Sequence, residues 1–397
     1  MNKKKILFVS ARLPYPMTEG HQIRTFGVLS QLAKDFDVHL YSLLRSSEVL
    51  PTDNELSSLC SSISGFPLKF GLVHNLRAAI DSLGGSKPLM ITRYISPSLK
   101  KQFEKKIAEI QPDIIHFDLL TLSGLIGVVP KDIPIVLNEH NIESDLIKQK
   151  YLSQPTGLFK LILKRETKLL ERFEINSCNQ SNVVLACSDN DRNVILKYGD
   201  NNVFTIPNGV NTTKLLPGDE STNEHFVFLG GMGWYPNKLG MEWFIKEVFP
   251  LIFEQNSSVK IDVVGNPEPK LEIPLRYKNN INILGFVDDF IPIVQKSRAM
   301  IVPLTVGSGT RLKVLEGMAL GKCIISTTKG AEGINLIQGN NVVFADTPQS
   351  FAAAVIDFLS NEKEAQEIGT RARDMAVSTY DWDVIGIKLK TIYSELD

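Results

Sequence analysis

The chain has no excess charge of either sign: 43 lysines and arginines face 44 aspartates and glutamates, for a formal net charge of −1. A duplex-binding protein carries a basic excess, so no nucleic acid partner is expected. Cysteine is scarce, and Cys60, Cys178, Cys187 and Cys323 stand far apart with no C-x-x-C pair. That spacing fits neither a disulfide framework nor a thiolate metal site; buried, reduced thiols in a cytoplasmic protein are expected. Long apolar runs are missing too. After Lys3, Lys4 and Lys5, the stretch Ile6-Leu7-Phe8-Val9 ends too soon for a secretory signal core. No uncharged apolar run reaches the ~18 residues of a membrane span. Two phosphate signatures are absent as well. Gly307-Ser308-Gly309 lacks the third glycine of G-x-G-x-x-G, and Gly321-Lys322-Cys323 fails the Walker pattern. Dehydrogenases and P-loop ATPases are thereby disfavoured.

What is present is a soluble-globular composition, 43% hydrophobic and 22% charged over 397 residues, enough for two to three domains. Short apolar runs alternate with helix-periodic stretches. The runs in the first half are Ile6–Ser10, Val38–Leu44, Ile114–Phe117, Ile135–Asn138, Val183–Ala186 and Val203–Ile206. The second half repeats the pattern at Phe226–Leu229, Val259–Val264, Ile281–Leu284, Ala299–Val302, Cys323–Ser326 and Val342–Phe344. Runs apolar on both faces suit buried parallel strands, so each half reads as a Rossmann-like α/β sheet. Helical spacing predicts helices over Leu99–Ile110, Leu158–Cys178, Met241–Glu254, Leu312–Leu320 and Phe351–Leu359. The polar stretch Asn208–Glu224 is the expected join, and two such domains imply a deep cleft.

The most informative segment runs from Pro303 to Glu316 (PLTVGSGTRLKVLE), where a buried strand gives way to a Gly/Ser loop and a helix expected to begin near Thr310. Amides at a helix start attract anions, and Gly307 and Gly309 permit close approach. Arg311 and Lys313 in the first turn oppose the helix dipole unless an anion sits there. Glu316, a turn further on, can accept bonds from sugar hydroxyls. Spacing alone leaves open an ordinary glycine turn with two solvated cations.

Taken together, these motifs resemble the retaining glycosyltransferases of family 4, whose architecture is GT-B: two Rossmann-like parallel-sheet domains facing each other across a deep cleft. The resemblance covers nearly the whole chain. It rests on Pro16 to Gly20, Ile206-Pro207-Asn208-Gly209-Val210, Gly230 to Gly240, Gly307 to Glu316, Lys329-Gly330-Ala331-Glu332-Gly333 and Tyr380-Asp381-Trp382. It implies an acceptor-binding domain over 1–208 and a nucleotide-sugar-binding domain over 209–380. The last helix, about 381–397, is expected to pack back on the first. It further implies hexosyl transfer from a nucleotide-diphosphate sugar to a hydroxyl of a glycan or lipid-linked acceptor, without a metal or other cofactor.

Carried over residue by residue, the family's ribose-gripping glutamate matches Glu316. Its earlier glutamate falls at Ser308, a departure that leaves Gly309 and Thr310 as loop contacts to the donor. The family's arginine after the first strand of the second domain falls at Gly231, and its companion lysine has only Asn237 or Lys238 nearby. Arg311 and Lys313 are inferred to supply the missing positive charge to the leaving diphosphate. In the first half, His140 in Asn138-Glu139-His140-Asn141 matches the family's sugar-contacting histidine, and Gly20 the loop beside the donor phosphates. His116 ends a strand, where a structural role is at least as good a reading. Arg24 stays unassigned, facing either cleft or solvent. Ser188-Asp189-Asn190-Asp191 reads as a helix cap, not a metal motif. Leu158–Phe173 is amphipathic and basic, consistent with either an anionic membrane surface or a solvated helix face. An epimerase of the same architecture and a silent sugar-nucleotide-binding partner remain open, the latter because of Ser308 and Gly231.

Overall fold

The computed structural model describes residues 3–17, 19–46, 48–68, 71–85, 87–218, 225–307 and 311–396. They form two units, Met1–Pro207 with Ile385–Asp397, and Asn208–Val384. The first contains seven strands: β1 (Lys5–Ser10), β2 (Asp37–Leu44), β3 (Ser62–Pro67), β4 (Ile114–Asp118), β5 (Ile135–Asn138), β6 (Val183–Ala186) and β7 (Val203–Thr205). All pair in parallel, in the order β3-β2-β1-β4-β5-β6-β7. Ile6, Leu7, Phe8 and Val9 are fully buried, which requires cover on both faces of the sheet. The edge strand β3 escapes the sequence pattern because Ser62-Ile63-Ser64-Gly65 is half-exposed and mixes serine with its apolar residues.

The second unit contains β8 (His225–Leu229), β9 (Lys260–Val264), β10 (Ile281–Gly285), β11 (Ala299–Val302), β12 (Ile324–Ser326) and β13 (Val343–Phe344). Their order, β10-β9-β8-β11-β12-β13, repeats the first six strands of the other sheet, again all parallel. These are the two Rossmann-like sheets that the alternation predicts. In each, the order turns back beside the first strand, between β1 and β4 and between β8 and β11. Ligands of open α/β sheets bind at the carboxyl ends of the strands there.

The helix expected over Met241–Glu254 is broken in two: Tyr235–Trp243 runs into a π-helical turn, Phe244–Val248, and then Phe249–Gln255. Pro250 explains the break, because it lacks an N–H and its ring crowds the preceding turn. The paired motifs at 206–210 and 380–382 have a shared structural cause. Asp381 accepts bonds from the Thr212 amide (3.0 Å) and hydroxyl (2.5 Å), and a Cβ at Gly209 would collide with the Trp382 ring. Within the first unit, Tyr393 on the terminal helix lies 2.5 Å from His116 Nδ1, and Lys388 donates to the Thr205 carbonyl.

Candidate active site

At the first switch point, β4 ends on Asp118, a carboxylate that is 1% exposed. Its Oδ1 lies 2.9 Å from His140 Nε2 and accepts a bond from Asn138 Nδ2 at 2.7 Å. Its Oδ2 accepts from the Thr25 hydroxyl at 2.6 Å. The fully buried Arg24 donates to Asn138 Oδ1 and to the Ile206 carbonyl, both at 2.8 Å. Asn138 is thus a neutral bridge between a buried cation and a buried anion. Burial opposes ionisation of Asp118, but the electrostatic pull of the neighbouring His140 and its hydrogen bond to the carboxylate, with His116 close by, outweigh it. The carboxyl is held well below its ordinary range.

Of the residues expected in this half, His140 sits in the cluster, buried at the ligand-facing end of the sheet. Gly20 opens the helix Gly20–Asp35 and is exposed. His116 is structural: its ring stacks on Phe8 with centroids 4.1 Å apart, and its Nδ1 meets Tyr393. Arg24, unassigned from the sequence, is buried, its guanidinium holding Asn138 and the chain at Ile206. Asp118, the centre of the cluster, is missed by the sequence reading, which ends this strand at Phe117.

At the second switch point, the helix after the glycine loop begins at Leu312, later than expected, with Arg311 at its N-cap position. Ser308, Gly309 and Thr310 lie outside the described residues. Arg311 is 7% exposed, and burial works against its charge, with Glu332 offsetting part of that effect. Gly307, at φ 116°, makes room for it, since a Cβ there would lie 2.5 Å from Arg311 Nη2. Lys313 reaches across to the turn after β8. Its Nζ donates to Asn237 Oδ1 at 2.7 Å and lies 4.2 Å from the centre of the Phe228 ring. Gly230, at φ 146°, is required here, because a Cβ would meet both Lys313 Nζ and Asn237 Nδ2 at 2.5 Å. Asn237 in turn donates to the Gly231 carbonyl. Lys238 points elsewhere, to Glu242 at 3.0 Å.

Burial pushes the Lys313 amine down to about 7, helped by the charge of Arg311, and the Glu316 carboxyl up to about 6, against the pull of Lys313. An amine whose charge is only partly retained near neutral pH is therefore held at the turn after β8, delivered from the helix that follows β11. The chemistry such a place offers is recognition of an anion that arrives with its own charge.

Residues 20–214 match the family model described as Glycosyltransferase Family 4, and residues 223–361 the one described as Glycosyl transferases group 1. The chain belongs to these glycosyltransferases. Over 395 residues the glycosyltransferase is 22% identical to an uncharacterised 44.6 kDa protein in the cps region of Klebsiella pneumoniae, covering 95% of this chain and 96% of that one. Among solved structures it is similar to Anabaena HepE in complex with UDP, at TM-score 0.68 and 14% identity over 99% of this chain and all of that one. It is also similar to sucrose-phosphate synthase from Thermosynechococcus elongatus, at TM-score 0.70 and 15% identity over 99% of both. Both similarities support the GT-B fold of the glycosyltransferase.

The glycosyltransferase has three Asp-x-Asp triplets, at 35–37, 189–191 and 381–383, and each is used structurally: Asp35 accepts from Lys390 and Asp37 from Ser61. Asp189 accepts from Thr205 and Asp191 from Ser188, while Asp381 accepts from Thr212. Its cysteines are all free; Cys178, Cys187 and Cys323 are buried, while Cys60 is only partly so.

Proposed function

We propose that the enzyme moves a hexosyl group, with retention, from a nucleotide-diphosphate sugar to a hydroxyl of a glycan or lipid-linked acceptor in cell-surface polysaccharide synthesis. The observation that carries this reading is Lys313 Nζ seated between Asn237 and Phe228 at the second switch point. It puts a half-buried amine where a diphosphate would lie, beside the start of a helix. The UDP complex of the similar Anabaena protein and the cps-region relative agree with donor and pathway class. In the proposed step the bond from the anomeric carbon to the phosphate oxygen breaks as the acceptor oxygen bonds to the same face. The acceptor proton passes to the departing phosphate oxygen. Arg311, Lys313 and amides around Ser308, Gly309 and Thr310 hold the charge that grows on the leaving group, with no metal required. Glu316 grips the ribose, and Gly20 and His140 are the first unit's candidate contacts to donor or acceptor. Incubation with labelled nucleotide sugars and lipid-linked acceptors should yield one glycosylated product of retained configuration. Donor epimerisation, or binding with no turnover, would replace this reading.

We further propose peripheral attachment to an anionic membrane at the cytoplasmic face. In the helix Leu158–Gln180, Leu158, Phe159, Leu161 and Ile162 are exposed in the first turns, with Lys164 and Lys168 exposed further along. An exposed apolar turn beside lysines suits a headgroup boundary. No helix among the described residues is long and apolar enough to cross a membrane. Purified protein should bind anionic but not neutral vesicles and release as salt rises. Equal binding to both, or none, leaves an ordinary domain helix.

A further inference from the structure

We propose that Asp118 is a positioning residue that fixes His140 in the tautomer protonated on Nε2, so that Nδ1 offers a lone pair to a hydroxyl of the sugar or acceptor. This rests on His140 being a site residue.

The geometry leaves little choice of proton position. An ionised carboxylate only accepts, so His140 Nε2, 2.9 Å from Asp118 Oδ1, must donate. Asn138 Nδ2 is 3.4 Å from the same ring nitrogen, but its amide orientation is settled from the other side. Arg24 donates to Asn138 Oδ1, so the Asn138 nitrogen is the end that faces Asp118 and His140. Two donors do not bond to each other. The Nε2 proton therefore belongs to Asp118, whose place is set by Thr25 and Asn138 from two further directions. In the neutral ring Nδ1 is then an acceptor, and among the described residues no hydrogen bond reaches it. An acceptor nitrogen suits the O–H of a sugar and repels a phosphate oxygen. The lone pair on Nδ1 thereby assigns His140 to hydroxyl recognition.

The chain has six histidines, so ¹⁵N-histidine spectra are sparse enough to assign His140 by difference from His140→Ala. Long-range ¹H–¹⁵N correlations of the wild type, recorded where the ring is neutral, should show His140 protonated on Nε2. In Asp118→Asn the one amide oxygen serves either Thr25, which binds on the Oδ2 side, or Asn138 and His140, which share Oδ1; the neutral amide no longer holds the Nε2 proton by a charge-assisted bond, and the Nε2–H tautomer should lose its preference. The rate kcat should fall by about 10²–10⁴, the range set by loss of one oriented histidine, with donor KM little changed. In a His140→Ala background, Asp118→Asn should cost nothing further.

A wild-type ring protonated on Nδ1 would overturn the assignment, as would an equal loss from Asp118→Asn with or without His140. Full activity in His140→Ala would instead remove His140 from the site and the proposal with it. The tautomer is read without turnover, so the two failures are distinguishable.

Discussion

The two switch points solve the burial of charge in opposite ways. At Asp118 the fold surrounds a carboxylate with Thr25, Asn138 and His140, and the group stays ionised. At Lys313 and Glu316 the fold half-buries two opposite charges, and both are shifted toward neutrality, to about 7 and about 6. The first cluster is complete by itself. An anion such as the diphosphate proposed for this site would favour the charged form of Lys313.

The largest effect that breaks this comparison is expected at Arg311. Charge accumulates on the diphosphate as the glycosidic bond breaks, so a cation there favours the transition state over the ground state. Arg311→Ala should lower kcat by about 10²–10³ and raise donor KM by less. Arg311→Lys should recover only part, because an ammonium cannot make the forked contact. EDTA should leave the wild-type rate unchanged. Loss of activity in EDTA together with a fully active Arg311→Ala would show that a metal carries the leaving group.

Glu316 comes next. Glu316→Gln should weaken donor binding by about 1.5–3 kcal/mol, the scale of a hydrogen bond to a charged group. Titration calorimetry with the donor measures it, and an unchanged dissociation constant would take Glu316 out of the nucleotide site.

How the second site is built also marks the limit of the sequence. The apolar runs are legible because strands such as Ile6–Val9 are buried on both faces, a pattern local in the chain. Arg311 and Lys313 stand out because cations at a helix start go against its dipole. That Lys313 reaches Asn237 is not legible, because it depends on how β8 and β11 lie side by side. Asp118 was hidden for a different reason: a charged residue at the end of an apolar run reads as the start of a loop. Arg24 looks like any surface arginine until the fold closes Asn138 and Ile206 around it.

The Lys313 amine, near 7 in the free protein, sharpens the contrast through pH. A diphosphate binds the charged form, so its affinity is full below about 7 and declines as pH rises above that value. The decline should approach tenfold per pH unit until the amine of the complex itself titrates. At pH 8 binding should take up protons, seen as a dependence of the calorimetric heat on the buffer's ionisation enthalpy. Lys313→Arg keeps its charge and should flatten the pH dependence. No proton uptake by the wild type would mean that Lys313 does not meet the diphosphate.

The smallest effect tests the same contrast inside the first unit, one residue from His140. Glu139 is 1% exposed and neither of its oxygens has a hydrogen-bond partner among the described residues. Burial, then the charges of Glu174, Glu143 and Asp191, hold its carboxyl well above the ordinary range. Glu174 takes up the nearby donors, from the Glu143 and Ser144 amides and the Ser144 and Tyr198 hydroxyls. Burial and Glu174 push Glu143 from 4.5 to about 7. The folded state thus binds that proton more tightly than the unfolded chain. Its stabilisation is full below about 4.5 and is lost as pH rises through about 7. Because Glu143 is partly exposed, the loss should be about 1–3 kcal/mol. His21 and His116, lowered from 6.5 chiefly by burial, work in the opposite sense below that pH, so variant and wild type must be compared at each pH. Glu143→Gln has no proton to lose, and its Tm should gain on the wild type by a few degrees between pH 5 and pH 8. A Tm difference that is the same at both pH values would mean that Glu143 ionises as it does in water.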